Sequence, residues 1–143
     1  MEAFLVFLQK SPLNMGLFAA TIVSGGMLIW PILNRLSKPG KEVGAMDAVQ
    51  LINRRDAVVI DVRDPAEYGT GHIAGARNIP QAQLESRLKE LEKVKSKPLI
   101  VACATGNRSR AASALLQKQG YAEVFSLQGG LAAWKQAGMP LEK

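Results

Sequence analysis

A chain of 143 residues with 48% hydrophobic content has room for one packed domain and an appendage. Its single cysteine excludes an intramolecular disulfide, and one cysteine with one histidine, His72, excludes a zinc site of the usual Cys/His kind. The formal net charge of +6 comes from Lys and Arg mixed with acids, as in Glu85-Ser86-Arg87-Leu88-Lys89-Glu90, with little aromatic interleaving. That pattern reads as solvated helix faces and implies no nucleic-acid partner.

The N-terminal quarter is the appendage. From Ser11 through Asn34 no charged residue occurs. After an N-terminal flank, residues 1–11, residues 12–34 read as one transmembrane helix, near the roughly 20 residues needed to cross the hydrocarbon core. Trp30 would then lie at headgroup depth. A cleaved signal peptide is the competing reading, but no positive charge precedes Lys10 and no small-x-small site follows Trp30. Lys10 stands alone before the span, whereas Arg35, Lys38 and Lys41 follow it in a basic juxtamembrane linker, residues 35–43. The positive-inside rule places residues 44–143 in the cytoplasm of a bacterial inner membrane. That location also suits an unpaired thiol. Gly16, Ala20 and Ser24, spaced by four, offer a face for self-association through the span.

The remaining residues alternate between strand and helix patterns. Met46–Ile52 reads as an amphipathic helix, and Ala57–Arg63 as a β-branched strand whose polar residues come at its end. Asp61 and Arg63 therefore stand at a strand's carboxyl end, where sites collect in open α/β sheets, although they read first as an ion pair bracing loops. Asp64-Pro65 opens a short helical turn, with proline just after a good N-cap. Gly69, Gly71 and Gly75 punctuate a loop in which His72 reads as hydrogen-bonded packing and not as a base. Asn78–Pro80 is a short edge strand at best. Leu84, Leu88 and Leu91 predict one apolar helix face. Further on, Gly120 stops a helix, Val124–Leu127 is a strand, and Gly129-Gly130 opens a last helix whose Trp134 belongs to the core. Strands alternating with helices imply an α/β fold, a doubly wound and mostly parallel sheet with helices on both faces.

Leu99–Ala102 is a buried strand led by Pro98, and a helical pattern begins at Ala111. Cys103 thus falls on a tight strand-to-helix turn. Unpaired N–H groups and the helix dipole there favour an anion, and the nearest anion is the thiolate of Cys103 itself. Arg108 and Arg110 add positive charge. The arrangement suits a nucleophile.

Three segments, in this order, carry a family resemblance: VIDVRDPAEYGTGHIAGARNIP, LIVACATGNRSRAASALL and VFSLQGGLAAWKQAGMP. From about Met46 to Leu141 the chain resembles a single rhodanese domain. The resemblance implies a sulfurtransferase in which Cys103 carries a persulfide and the backbone of Ala104, Thr105, Gly106, Asn107 and Arg108 lines the active-site loop. It implies a small sulfur donor, thiosulfate or a persulfide, a thiol or protein acceptor, and neither cofactor nor metal. Arg108 would brace the loop. Ala104 departs from the arginine common after the cysteine in thiosulfate-using members, which disfavours thiosulfate. Cysteine phosphatases use a similar turn but place five residues between Cys and Arg, where this chain has four. The other rival is a membrane-tethered binding module on the same scaffold.

Overall fold

The computed structural model of the chain describes residues 15–16, 19–27, 29 and 40–143. The chain divides into two units, Met1–Lys38 and Pro39–Lys143. In the first, residues 19–27 are helical, and Met15, Ile22, Val23, Met27 and Ile29 each expose more than half of their surface. Among the described residues no helix is long and apolar enough to cross a membrane, and much of the expected span 12–34 lies outside them.

The second unit is built on five strands: β1 (Lys41–Val43), β2 (Val58–Asp61), β3 (Arg77–Asn78), β4 (Leu99–Ala102) and β5 (Val124–Leu127). Their order across the sheet is β1-β5-β4-β2-β3, and every neighbouring pair is parallel. The four α-helices of this unit are α1 (Ala45–Arg55), α2 (Pro65–Gly69), α3 (Asn107–Lys118) and α4 (Gly130–Gln136). Helices cover both faces, as the alternating pattern predicts. Strand β4 shows why its four residues are all apolar: Leu99 and Val101 pack beneath α3, whereas Ile100 and Ala102 pack against the layer holding α1 and α4. A strand buried on both sides needs a continuous apolar run.

Three elements differ from the sequence reading. Lys41–Val43, expected in the linker 35–43, form an edge strand that pairs with β5. Three residues with one apolar side chain leave no pattern to read. The predicted helix through Leu84, Leu88 and Leu91 is instead two 3₁₀ segments, Gln81–Gln83 and Leu88–Val94. At three residues per turn, Leu88, Leu91 and Val94 come onto one side, and Leu91 and Val94 are buried. The helix expected from Ala111 starts four residues earlier, at Asn107, because Gly106 takes φ +101° as its N-cap and turns the chain at once.

The last residues close back on the loop after α2. His72 and Glu142 exchange backbone hydrogen bonds of 2.8 and 2.9 Å, and Trp134, buried as expected, donates its indole N–H to the Pro140 carbonyl at 3.0 Å.

Candidate active site

Strand β4 delivers Cys103 to the carboxyl end of the sheet, 1% exposed. Its Sγ accepts hydrogen bonds from the Gly106 N–H at 3.0 Å and the Ser109 N–H at 3.4 Å, and lies 3.5 Å from Ser109 Oγ. Burial alone would raise the thiol pKa. The Ser109 hydroxyl and the N–H groups of Ser109, Gly106 and Thr105 outweigh that and bring it below its ordinary value.

The amides face the sulfur because the carbonyls are held elsewhere. Leu131 N–H donates to the Cys103 carbonyl at 2.8 Å and Ala132 N–H to the Ala104 carbonyl at 3.2 Å. In a trans peptide the C=O and the following N–H point in opposite directions, so the Ala104 and Thr105 N–H groups turn away from α4. Gly130, at φ +60°, permits this contact: a Cβ there would lie 2.4 Å from the Cys103 carbonyl oxygen and 2.6 Å from the Ala104 carbonyl.

The remaining expected residues are distributed around this turn. Ala104 is half-buried and Thr105 exposed, whereas Asn107 and Arg108 form the first turn of α3. Arg108 is bidentate to Glu67, at 2.8 and 2.9 Å. The guanidinium pulls the Glu67 carboxyl down to about 2. Glu67 is itself oriented by the N-terminus of α2, accepting the Asp64 N–H at 3.2 Å in a capping box. Arg108 thus ties the start of α3 to α2. Arg110, counted at the sequence level as charge beside the thiol, pairs instead with Glu42 of β1. The side chain leaves the first turn of the helix on the side of the sheet edge.

Asp61 and Arg63 are buried and paired, with Arg63 Nη2 2.7 Å from Asp61 Oδ2 and 2.8 Å from the Gly71 carbonyl. Asn78 donates to the carbonyls of Asp61 and Arg63 at 3.0 and 2.9 Å. These bonds fasten loops at the end of β2. The His72 ring stacks on Tyr68 with centroids 3.8 Å apart, and its Nδ1 lies 3.1 Å from the Tyr68 carbonyl.

Sequence reasoning missed Glu67, Gly130 and Ser126. Ser126 Oγ, on β5, lies 2.7 Å from Ser109 Oγ, and both serines are fully buried. A serine among the apolar residues of VFSL was the available signal.

A parallel α/β domain whose cysteine sits in an amide-lined strand–helix turn is the class that this geometry defines. Residues 45–137 match the Rhodanese-like domain family model, and the chain belongs to that family. It is 32% identical over 142 residues to the Uncharacterized protein YibN of Escherichia coli, spanning 99% of this chain and 97% of that one. It is 40% identical to the Thiosulfate sulfurtransferase GlpE of Ectopseudomonas mendocina, over 60% of this chain and 77% of that one. A rhodanese-related protein from Thermoplasma volcanium superimposes with a TM-score of 0.65 at 35% identity, covering 71% of this chain and 97% of its own.

Proposed function

We propose that the chain is a sulfurtransferase that moves a sulfane sulfur through a persulfide on Cys103. The observation that carries this reading is the sulfur itself, held by amide and hydroxyl donors that favour its thiolate. With the thiolate already formed, no general base is required, and His72 is committed to packing. The thiolate attacks the outer sulfur of the donor, and a Cys103 S–S bond forms as the donor's S–S bond breaks. Sulfite leaves from thiosulfate with the bonding pair; a thiolate leaves from a persulfide donor. The ring of N–H groups holds the terminal sulfur anion of the Cys103 persulfide until cyanide, a thiol or a protein acceptor attacks it. Cys103 then departs as thiolate and the cycle closes.

The cations near the turn favour a persulfide donor over thiosulfate. Arg108 is occupied by Glu67, Arg110 by Glu42, and Ala104 offers no charge to a doubly anionic donor. The same engagement of Arg108 and the four-residue spacing after Cys103 argue against a phosphoryl substrate. In the proposed site, Ala104 to Arg108 line or brace the sulfur pocket and Asp61–Arg63 support it.

We further propose that residues 12–34 anchor the chain in a bacterial inner membrane, with residues 44–143 cytoplasmic and with self-association along Gly16, Ala20 and Ser24. The absence of charge from Ser11 to Asn34 and the exposure of Met15, Ile22, Val23, Met27 and Ile29 support the anchor.

The test is intact mass after incubation of the full chain with thiosulfate and, separately, with a persulfide donor, with Cys103→Ser as control. The reading expects one added sulfur on the wild type alone, discharged by cyanide. No adduct from either donor refutes it and leaves the tethered binding module.

A further inference from the structure

Ser126 is a polar residue placed where the fold asks for an apolar one. It lies in the middle of β5, opposite Val101 of β4 and Glu42 of β1, and is fully buried. Its neighbour two positions earlier, Val124, packs in the core beneath α3. A buried hydroxyl costs stability unless it is hydrogen-bonded, and alanine or valine would suit such a strand better. The hydroxyl meets a single group, Ser109 Oγ, at 2.7 Å.

Hydrogen bookkeeping fixes the direction of that bond. Ser109 has one hydroxyl proton and two lone pairs. With Cys103 as a thiol, the S–H donates to Ser109 Oγ, 3.5 Å away, and the Ser109 O–H donates to the Gly106 carbonyl at 2.9 Å. Ser126 must then donate its own proton to the second lone pair of Ser109. When the thiol proton leaves to water, Ser109 turns its O–H from Gly106 to Sγ. The Gly106 carbonyl keeps the Arg110 N–H at 3.2 Å, so the turn strands no acceptor. Throughout, the Ser126 O–H keeps donating to Ser109 Oγ, and that bond polarises the O–H that faces the sulfur.

We infer that Ser126 is a positioning residue for the Cys103 chemistry, acting through Ser109 to hold a hydroxyl donor ready for the sulfur anion. The inference rests on Cys103 working as a thiolate, the reading proposed above. The charged group that faces the sulfur is Arg108, and Glu67 and Asp64 face Arg108 in turn. Substitutions at Ser126 leave those residues in place.

The experiment uses the full chain. Because the chain holds one cysteine, the ultraviolet absorbance of thiolate followed against pH, less that of Cys103→Ser to remove the tyrosinate of Tyr68 and Tyr121, reports Cys103. Ser126→Ala and Ser126→Val are expected to raise the midpoint by about 0.2 to 0.5 of a pH unit, the loss of one cooperative bond, and Ser126→Thr to restore it. Thr and Val add the same bulk, so their difference reads the hydroxyl, and Ser126→Ala decides the matter if neither folds. Wild-type midpoints in Ala or Val, or a Thr midpoint raised as far as Val's, overturn the inference. Neither result touches the sulfur-transfer reading, which stands or falls on the mass of the persulfide adduct.

Discussion

Replacing Gly130 with alanine tests whether α4 builds the cysteine turn or merely follows it. Two costs combine there. An alanine at φ +60° carries a left-handed penalty of about 1–2 kcal/mol. Its Cβ would also approach the Cys103 and Ala104 carbonyls to 2.4–2.6 Å. Those atoms are backbone, pinned by Leu131 and Ala132, and cannot swing aside, so overpacking adds about 1–3 kcal/mol. Gly75→Ala separates the two, since Gly75 has φ +72° and nothing within 4 Å of its added Cβ. In urea unfolding of the full chain, Gly75→Ala is expected to lose about 1–2 kcal/mol and Gly130→Ala about 2–5 kcal/mol. The larger loss is a substantial share of a domain stability of roughly 5–15 kcal/mol. Thiolate absorbance adds a second reading: the Cys103 midpoint should rise in Gly130→Ala, where the amides are displaced, and hold in Gly75→Ala. Equal losses in the two variants, or an unmoved midpoint in Gly130→Ala, would refute the role given to α4.

Other substitutions probe the supports. Asp61→Ala leaves the Arg63 guanidinium buried without its carboxylate and is expected to cost about 3–5 kcal/mol in chemical denaturation. Ser109→Ala removes a donor to the Cys103 anion and should raise the thiolate midpoint by about one pH unit or more, read by absorbance. Glu67 has its folded pKa lowered to about 2, so its contribution is present above the ordinary carboxyl range and is lost as pH falls toward 2. Glu67→Gln should therefore flatten the stability profile between about pH 4.5 and 2, by less than about 1 kcal/mol because the pair is partly exposed. Ala104→Arg supplies the missing cation and should raise kcat/KM for thiosulfate roughly tenfold relative to a persulfide donor, measured by sulfite release.

What could be read from residues alone follows from how locally each feature is encoded. Strand β4 is a continuous apolar run, β2 and β5 are apolar but for Asp61 and Ser126, and Cys103 stands where the β4 run meets small and polar residues, so the turn was legible. The start of α3 was not. Asn107, Arg108 and Arg110 are polar because a helix's first turn faces solvent and partner side chains, and those partners, Glu67 and Glu42, are distant in the chain. The leucines before β4 were legible as core and misread in period, since spacings of three and four look alike until the backbone chooses a 3₁₀ path. Gly130 gains its role from tertiary approach to Cys103, which no local pattern records, and the serine in VFSL marks Ser126 as out of place without revealing its partner, Ser109.

The pairing of β1 with β5 has a consequence for how the domain is made. Lys41 lies opposite Phe125 and Val43 opposite Leu127, so the first strand of this unit to leave the ribosome waits for the last before it acquires a partner. Closing so long a loop is entropically expensive and slow compared with local pairing. The core strands β2 and β4 can assemble meanwhile, but β1 and Gly40, whose missing side chain lets Ser113 of α3 approach, dock only at the end of synthesis. A chain cut after α3 would thus be left with an unpaired β1, an unsupported cysteine turn and a ready template for aggregation.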